Sequence, residues 1–323
     1  MNVIVYHQVK TGTDCPDGIC AAWIAAKALG HETVELAPEV YRSERDKNSY
    51  RVPFDARNKT IVFVDWAGYS EINMIALSRL AEEIIILDHH KSQEEVLHRL
   101  GSLSNLFVGY VPNEIGCGAS IAWDYFFPDT PQPDWLKSVR LRDTGMGGYW
   151  QGQQEYHESV NAALSMRRKG KIGWDAFPVF DELLATPNAS EILYREGLES
   201  VEYKNTLCRQ AVDKWKGDSV YVRLSLEYKN IYRGDSHQVE VPFLQITDPS
   251  LDCYYSWIGT FLAQATDSPY VAVMTTDRSS VSLRKRPESD CDLSEVAKLF
   301  GGGGHHAAAA FSIKQEADGT NAL

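Results

Sequence analysis

The chain is short of positive charge: 32 Lys and Arg stand against 44 Asp and Glu over 323 residues, for a formal net charge of -12. A surface of that sign does not hold long nucleic acid by non-specific phosphate neutralisation, which needs a basic stripe. It leaves room for a phosphorylated ligand in a local pocket of metal, Arg and His, and so favours short or small substrates. Cysteine is sparse and scattered. The six (Cys15, Cys20, Cys117, Cys208, Cys253, Cys291) form no C-x-x-C pair and no zinc-finger spacing, which points to a reducing compartment rather than a disulfide framework. No apolar run approaches the roughly 18 residues of a membrane span. The N-terminal MNVIVYHQVK lacks a basic segment leading into an apolar core. The expectation is a soluble, cytoplasmic protein that does not engage membranes. Internal repeats are absent, and only Gly301–Ala310 is compositionally biased. The length and a 44% hydrophobic content suit about two domains.

What is there centres on IIILDHH, residues 84–90. Ile84 to Leu87 read as a buried strand that delivers Asp88, His89 and His90 to its carboxyl end, where open α/β sheets collect ligands. The alternative is a surface turn with incidental histidines, so the weight falls on the rest of the chain. Val3–Tyr6 is a first strand with His7 at its end. A loop carrying Asp14-Cys15-Pro16-Asp17-Gly18 leads into an apolar helix stopped by Gly30. An N-cap role would account for one aspartate there and leave the other, with His7, unexplained. Thr33–Leu36 is a second strand, followed by a charged stretch, Arg42–Arg57, without periodicity. Thr60–Val64 is a third, ending at Asp65, and Ser70 to Ala81 reads as a helix. Strand ends bearing His7, Asp65 and the Asp88–His90 triplet recur in register.

Ser92-Gln93-Glu94-Glu95 has the pattern of a capping box. Leu106–Val111 is a fifth strand. The Gly-rich turn 113–118 opens the helix ASIAWDYFF and either presents N–H groups to a phosphate or is only a tight loop. Pro131–Asp143 reads as a helix broken by Gly145–Gly148. Residues 156–216 are helical in pattern, the last segment long and amphipathic. A second β-rich region follows, with strands at Val220–Leu226, Val241–Ile246, Tyr270–Thr275 and Ser280–Arg286, then the helix LSEVAKLF. Four glycines, Gly301 to Gly304, are costly in backbone entropy. Their place between that helix and an Ala-rich, helix-favouring segment favours close approach to a ligand phosphate over a flexible linker.

In this order and spacing the motifs resemble those of the DHH/DHHA1 phosphoesterase superfamily, whose members include RecJ-type exonucleases, nanoRNases and cyclic-dinucleotide phosphodiesterases. The residues that carry the resemblance are His7…Asp14…Asp17-Gly18, Asp65, Asp88-His89-His90 and Asp143. In the C-terminal part they are Arg284 and GGGGHHAAAAF, so the likeness spans residues 7 to 311. It implies an α/β architecture: a parallel-sheet DHH domain with helices on both faces over 1–190, a helical linker over 191–217, and a smaller α/β DHHA1-like domain over 218–323, with a cleft between the domains.

It also implies two divalent cations, Mn²⁺ in the first place and Mg²⁺ as the alternative. His7, Asp14 and Asp65 would hold the first ion; Asp17, Asp65, His89 and Asp143 the second. His90 would face the phosphoryl group and Asp88 would steady the imidazoles. Arg284 would fork onto a substrate phosphate, and Gly302, Gly303, Gly304 and His305 would bind the substrate's far end. Three departures from the family pattern bear on these assignments. Seven positions separate His7 from Asp14, and Cys15-Pro16 intervene before Asp17, so Cys15 competes with Asp14. Asp14 is preferred because a hard Mn²⁺ site favours carboxylate over thiolate. His306 rivals His305, Ala310 stands where glycine is usual, and Asp134 is the fallback for Asp143.

The activity implied is hydrolysis of short oligonucleotides or linear dinucleotides to mononucleotides by two-metal activation of water. Nucleotide 3′-phosphatase and polyphosphate or pyrophosphate hydrolase are the alternatives, and a nucleotide-binding pseudo-enzyme is the non-catalytic one. Retention of a candidate at every metal position favours an enzyme.

Overall fold

The computed structural model describes residues 1–41, 52–112, 115–144, 154–217, 224–229, 236–300 and 302–312. The Gly145–Gly148 helix break, most of the Arg42–Arg57 stretch, Asn113 and Glu114, the beginning of the Val220–Leu226 strand, and Gly301 lie outside the described residues. The chain divides into two units, Met1–Leu198 and Glu199–Leu323.

In the first unit β1 (Asn2–Lys10), β2 (Thr13–Asp14), α1 (Pro16–Leu29), β3 (Val34–Glu39), β4 (Thr60–Val64), α2 (Glu71–Ser78), β5 (Glu83–Asp88), α3 (Glu94–Leu100) and β6 (Leu106–Tyr110) follow in order. Helices α4 (Gly118–Phe126), α5 (Asp134–Thr144), α6 (Gln154–Arg167), α7 (Phe177–Ala185) and α8 (Ala189–Gly217) complete it, the last running past the unit boundary. Strands β3, β1, β4, β5 and β6 pair side by side in that order, all parallel. The short β2 pairs antiparallel with the far end of β1.

The apolar runs of β4 and β5 are continuous because both faces of the sheet are covered, as expected for parallel strands in an α/β protein. Successive side chains point to opposite faces. Ile4, Val62, Val64, Ile85 and Leu87 pack into a core with α1, α4, α5, α6 and α7. Val3, Val5, Ile61, Phe63, Ile84 and Ile86 pack with Met74 and Leu77 of α2 and Leu97 and Leu100 of α3 on the other face. The chain winds from β1 outward to β3, then returns past β1 to β4. That reversal opens a crevice at the carboxyl ends of β1 and β4, the usual ligand position in such sheets.

The second unit holds the antiparallel pair β7 (Leu224–Lys229) and β8 (Ser236–Val241). It also holds β9 (Phe243–Gln245), α9 (Tyr255–Gln264), β10 (Tyr270–Met274), β11 (Ser280–Lys285), α10 (Leu293–Leu299), β12 (Gly303–His305) and β13 (Ala308–Ser312). The sheet order is β12-β13-β11-β10-β9. Pro242 divides the single strand expected over Val241–Ile246 into β8 and β9.

The Ala-rich segment after the glycines is not helical. Ala308 to Ser312 pair with β11 along their length, so tertiary pairing overrides alanine's helix preference. Two of the glycines acquire a structural reason as well, while a Cβ on Gly303 would meet nothing within 4 Å. A Cβ on Gly302 would lie 2.2 Å from the Ala310 carbonyl oxygen, and one on Gly304, at φ 143°, 2.6 Å from that of Ala308. The crowding comes from the chain's own β13. The side chain of Ser92, on which the expected capping box rests, lies outside the described ones; α3 begins at Glu94, with Gln93 in the N-cap position.

Among the described residues no helix is long and apolar enough to cross a membrane. Among the described glycines the closest approach is at Gly197 of α8, where an added Cβ would fall 1.9 Å from the Ser159 carbonyl oxygen of α6. Gly197→Ala must therefore push the two helices apart. It is expected to cost about 2 kcal/mol or more of stability, read as a lower urea midpoint. An unchanged midpoint would show that the contact is looser than described.

Candidate metal centre

Five segments of the first unit deliver side chains to the crevice. His7 comes from the carboxyl end of β1, Asp65 from the residue after β4, and Asp88, His89 and His90 from the end of β5. Cys15 and Asp17 come from the start of α1, and Asp143 from the last turn of α5.

Asp65 is fully buried, and its backbone adopts φ 54°, a left-handed conformation that costs most residues but is tolerated best by Asp and Asn. Its N–H is donated to the Leu87 carbonyl at 3.0 Å, which holds the residue across the end of β5. From there Oδ1 meets His89 Nε2 at 3.0 Å and Oδ2 faces His7 Nδ1 at 3.4 Å. Burial alone would raise this carboxyl's pKa. The His7 ring facing its Oδ2, the hydrogen bond with His89 and the positive charges of His7 and His90 outweigh it and hold Asp65 well below the usual carboxylate range.

The Nε2 of His89 is also 3.3 Å from Asp143 Oδ2 and 3.7 Å from Asp17 Oδ2. Three carboxylates thus converge on one buried imidazole. Although burial disfavours the charged ring, its bond to Asp65 and the charges of Asp143, Asp65 and Asp17 hold His89 protonated well above the ordinary histidine range. The converse appears at Asp17, whose carboxyl is pushed well up by burial and then by Asp65 and Asp143. This crowding of negative charge favours cations. His90 Nδ1 lies 2.7 Å from Asp88 Oδ1, which also accepts the His89 N–H at 2.8 Å. Asp88 therefore fixes the turn and the His90 ring together.

Asp17 has a second function. Its two oxygens accept the N–H groups of Gly118 (2.6 Å) and Ala119 (2.9 Å) at the N-terminus of α4. The Gly-rich turn thus offers these N–H groups to a carboxylate of the chain rather than to a phosphate, consistent with the attraction of helix N-termini for negative charge. Close approach is what demands glycine here. A Cβ on Gly118 would lie 2.4 Å from Asp65 Cβ, and one on Gly18 2.5 Å from the His7 carbonyl oxygen.

Three groups of donors lie with their ligand atoms within 4.8 Å of one another: Asp65, Asp88, His89 and His90; His7, Cys15 and Asp65; and Asp17, His89 and Asp143. Buried donors without a hydrogen-bond partner include His7 Nδ1, Asp65 Oδ2, Asp88 Oδ2 and Asp143 Oδ2. Unpartnered buried oxygens are costly in a protein interior. Their clustering with imidazoles fits a site for divalent cations, with Asp65 common to the first two groups and bonded through His89 to the third.

Asp14, the expected ligand of the first ion, is not in these groups. Its Oδ1 accepts from the Tyr6 hydroxyl (3.0 Å) and Gln8 Nε2 (2.7 Å), and its Oδ2 from the Gly173 N–H (2.8 Å). The neighbouring Cys15 takes the position beside His7 and Asp65. Its thiol is pushed well up by burial and by Asp65, Asp143 and Asp17. Of the α5 candidates, Asp143 reaches the site while Asp134 is exposed at the helix start.

Tyr41, a residue that sequence reasoning passed over, sits just beyond β3. Its ring meets His7 edge-on at 4.9 Å and His90 at 5.1 Å, and its hydroxyl is buried without a hydrogen-bond partner among the described residues. Burial, then the charges of Asp88 and Asp65, keep that hydroxyl protonated. The available signal was its place just after β3, a fourth strand end on the same edge.

In the second unit, Arg284 of β11 is half-buried under α9. One of its terminal nitrogens donates to the Leu283 carbonyl at 2.7 Å and the other to Ser256 Oγ. It has no carboxylate partner among the described residues, and burial lowers its pKa to about 10. Gly303, Gly304 and His305 form the edge strand β12, with Gly302 just before it. The Nδ1 of His306 lies 3.0 Å from Lys285 Nζ.

No family model matches the chain. In sequence it is 27% identical, over 156 residues, to an uncharacterized protein of Acanthamoeba polyphaga mimivirus. The match covers 44% of this chain and 33% of that protein, so the chain spans about a third of the length of this curated relative. Among solved structures it is similar to a pGpG-specific phosphodiesterase, PggH, of Vibrio cholerae, with TM-score 0.46 and 13% identity over 97% of this chain and 93% of that one. It is also similar to the exonuclease RecJ bound to manganese, with TM-score 0.43 and 14% identity over 97% and 86% of the two chains. A third similar structure is CDC45 from Entamoeba histolytica, with TM-score 0.40 and 9% identity over 96% and 91%.

The geometry separates the roles of two adjacent residues. Asp14→Asn removes an acceptor from a satisfied network and is expected to lower stability by about 1–3 kcal/mol while leaving divalent-cation affinity unchanged. Calorimetric titration of the variant checks this. Loss of cation binding with unchanged stability would restore Asp14 as a ligand.

Proposed function

We propose that the protein is a phosphoesterase of the DHH type, which hydrolyses short oligonucleotides or linear dinucleotides to mononucleotides. The observation that carries this reading is the Asp65 carboxylate: fully buried, with one oxygen on His89 and the other facing His7 and Cys15 without a hydrogen bond among the described residues. A carboxylate so placed is suited to lie between two cations, one on each side.

When bound, two divalent cations supply an activated water and charge neutralisation for in-line attack at phosphorus. The protein's own residues then have defined tasks. His7, Cys15 and Asp65 form one donor set; Asp17, Asp65, His89 and Asp143 form the other. Asp17 is kept in place by two backbone N–H groups, so its ligating oxygen does not wander. Asp88 holds His90 by Nδ1, and His90 is assigned to a phosphoryl oxygen of the substrate through Nε2. Tyr41 walls the His7 and His90 rings on one side. Mn²⁺ is the ion expected in the carboxylate-rich set, and Mg²⁺ fits it as well.

The rest of the substrate is assigned to Arg284 and to Gly302, Gly303, Gly304 and His305. A half-buried guanidinium with no carboxylate partner among the described residues favours an anion, and its fork matches a phosphate. The net charge of -12 supports a short ligand over a long strand.

Asp65→Asn is expected to lower kcat for a labelled dinucleotide by on the order of 10³-fold with the fold intact by circular dichroism. A panel of dinucleotide, long single strand, nucleoside bisphosphate and polyphosphate, each assayed with added Mn²⁺, is expected to rank the dinucleotide first. Full turnover by the Asp65 variant, or preference for the long strand, contradicts the proposal.

A further inference from the structure

We infer that Cys15 supplies a thiolate ligand to the cation held by His7 and Asp65, so that this half of the centre takes a borderline ion such as Zn²⁺, Co²⁺ or Fe²⁺ in preference to Mn²⁺ or Mg²⁺. The inference rests on the metal reading above and extends it: the two halves of one centre differ in softness.

The geometry begins with the backbone. Cys15 is the N-cap of α1, with φ -61° and ψ 132°, and Pro16 starts the helix. The Cys15 carbonyl accepts the Ile19 N–H at 2.9 Å. Proline in the first helical position fixes the entry of the chain. The side chain of residue 15 is thereby committed to the crevice, within 4.8 Å of a His7 nitrogen and an Asp65 oxygen. The preceding carboxylate is held elsewhere: the oxygens of Asp14 accept from Tyr6, Gln8 and Gly173, and Asp14 belongs to none of the donor groups at the crevice. Exchanging the two residues would require unwinding the first turn of α1.

Two further observations point to a ligand at this place. Asp65 is 0% exposed, and its Oδ2 has no hydrogen-bond partner. His7 Nδ1, on the same side and 3.4 Å from that oxygen, is also buried and makes no hydrogen bond among the described residues. Cys15 is itself a free thiol and only 6% exposed, which shields it from adventitious partners.

The donor chemistry decides which ion. Nitrogen, sulfur and oxygen together suit zinc and its borderline neighbours, whereas hard ions prefer oxygen. The set of Asp17, His89 and Asp143, by contrast, offers only oxygen and nitrogen. A thiolate carries the same unit charge as a carboxylate but is softer, so it changes the selectivity of this half without changing its charge. Ligation releases the thiol proton to solvent.

The test uses the full chain, stripped of metal and titrated with Co²⁺. The expected result is a near-ultraviolet thiolate-to-cobalt charge-transfer band in the wild type that is lost in both Cys15→Ser and Cys15→Asp, while the visible ligand-field bands remain. The ratio of Zn²⁺ to Mn²⁺ affinity is expected to fall at least about tenfold in Cys15→Asp. X-ray absorption on the wild type loaded with one equivalent of Zn²⁺, which needs no variant, is expected to show one sulfur at about 2.3 Å. Ligand-field bands without the charge-transfer band, or zinc with no sulfur neighbour, overturn the thiolate ligand and leave the metal centre standing. Persistence of the charge-transfer band in both variants assigns it to another cysteine and equally overturns the inference. Absence of any cobalt spectrum or binding heat overturns the metal centre itself, and the inference with it.

Discussion

One buried carboxylate organises this molecule. Asp65 stands at the end of β4 in a left-handed conformation, wholly out of solvent, with His89 on one oxygen and His7 across from the other. Neither the conformation nor the burial is favourable in isolation. Both are sustained because the residue is clamped by the Leu87 carbonyl, enclosed by Gly18 and Gly118, and faced by imidazoles. The positive charge that such a site calls for is the physical source of the proposed cation chemistry.

The fold explains how residues far apart in sequence reach that carboxylate. Parallel strands place every carboxyl end on the same edge, so β1, β4 and β5 each contribute there without any long loop. The reversal of winding between β1 and β4 opens the crevice into which α1 sends Cys15 and Asp17. The N-terminus of α4, which packs beside α1 on the same face of the sheet, then closes on Asp17 by two hydrogen bonds. Stability and the proposed chemistry are thus joined at the same few positions: Asp17 anchors a helix and is a candidate ligand for a cation.

Much of this was legible in the sequence. Runs such as TIVFV and IIILD read as strands because residues buried on both faces leave no polar alternation. The polar residues that end them then mark the ligand edge. What resisted reading was local geometry. Asp14 and Cys15 are adjacent, and only the pairing of β2 with β1 and the start of α1 at Pro16 decide which of them faces the crevice. The turn before α4 carried no sign that its N–H groups serve Asp17, which lies about a hundred residues earlier. Alanine's helix preference misled at Ala308–Ser312, where strand pairing with β11 prevails. Tyr41 was hidden because aromatic residues after strands are common and only its contacts with His7 and His90 distinguish it.

The claim on which the account turns is that Asp65 lies between two cations. Anomalous diffraction from crystals equilibrated with Mn²⁺ and, separately, with Zn²⁺ measures this most directly. The account predicts two peaks flanking the Asp65 carboxylate, one against His7 and Cys15 and the other against Asp17, His89 and Asp143. Peaks remote from Asp65, or none in the crevice, would contradict it.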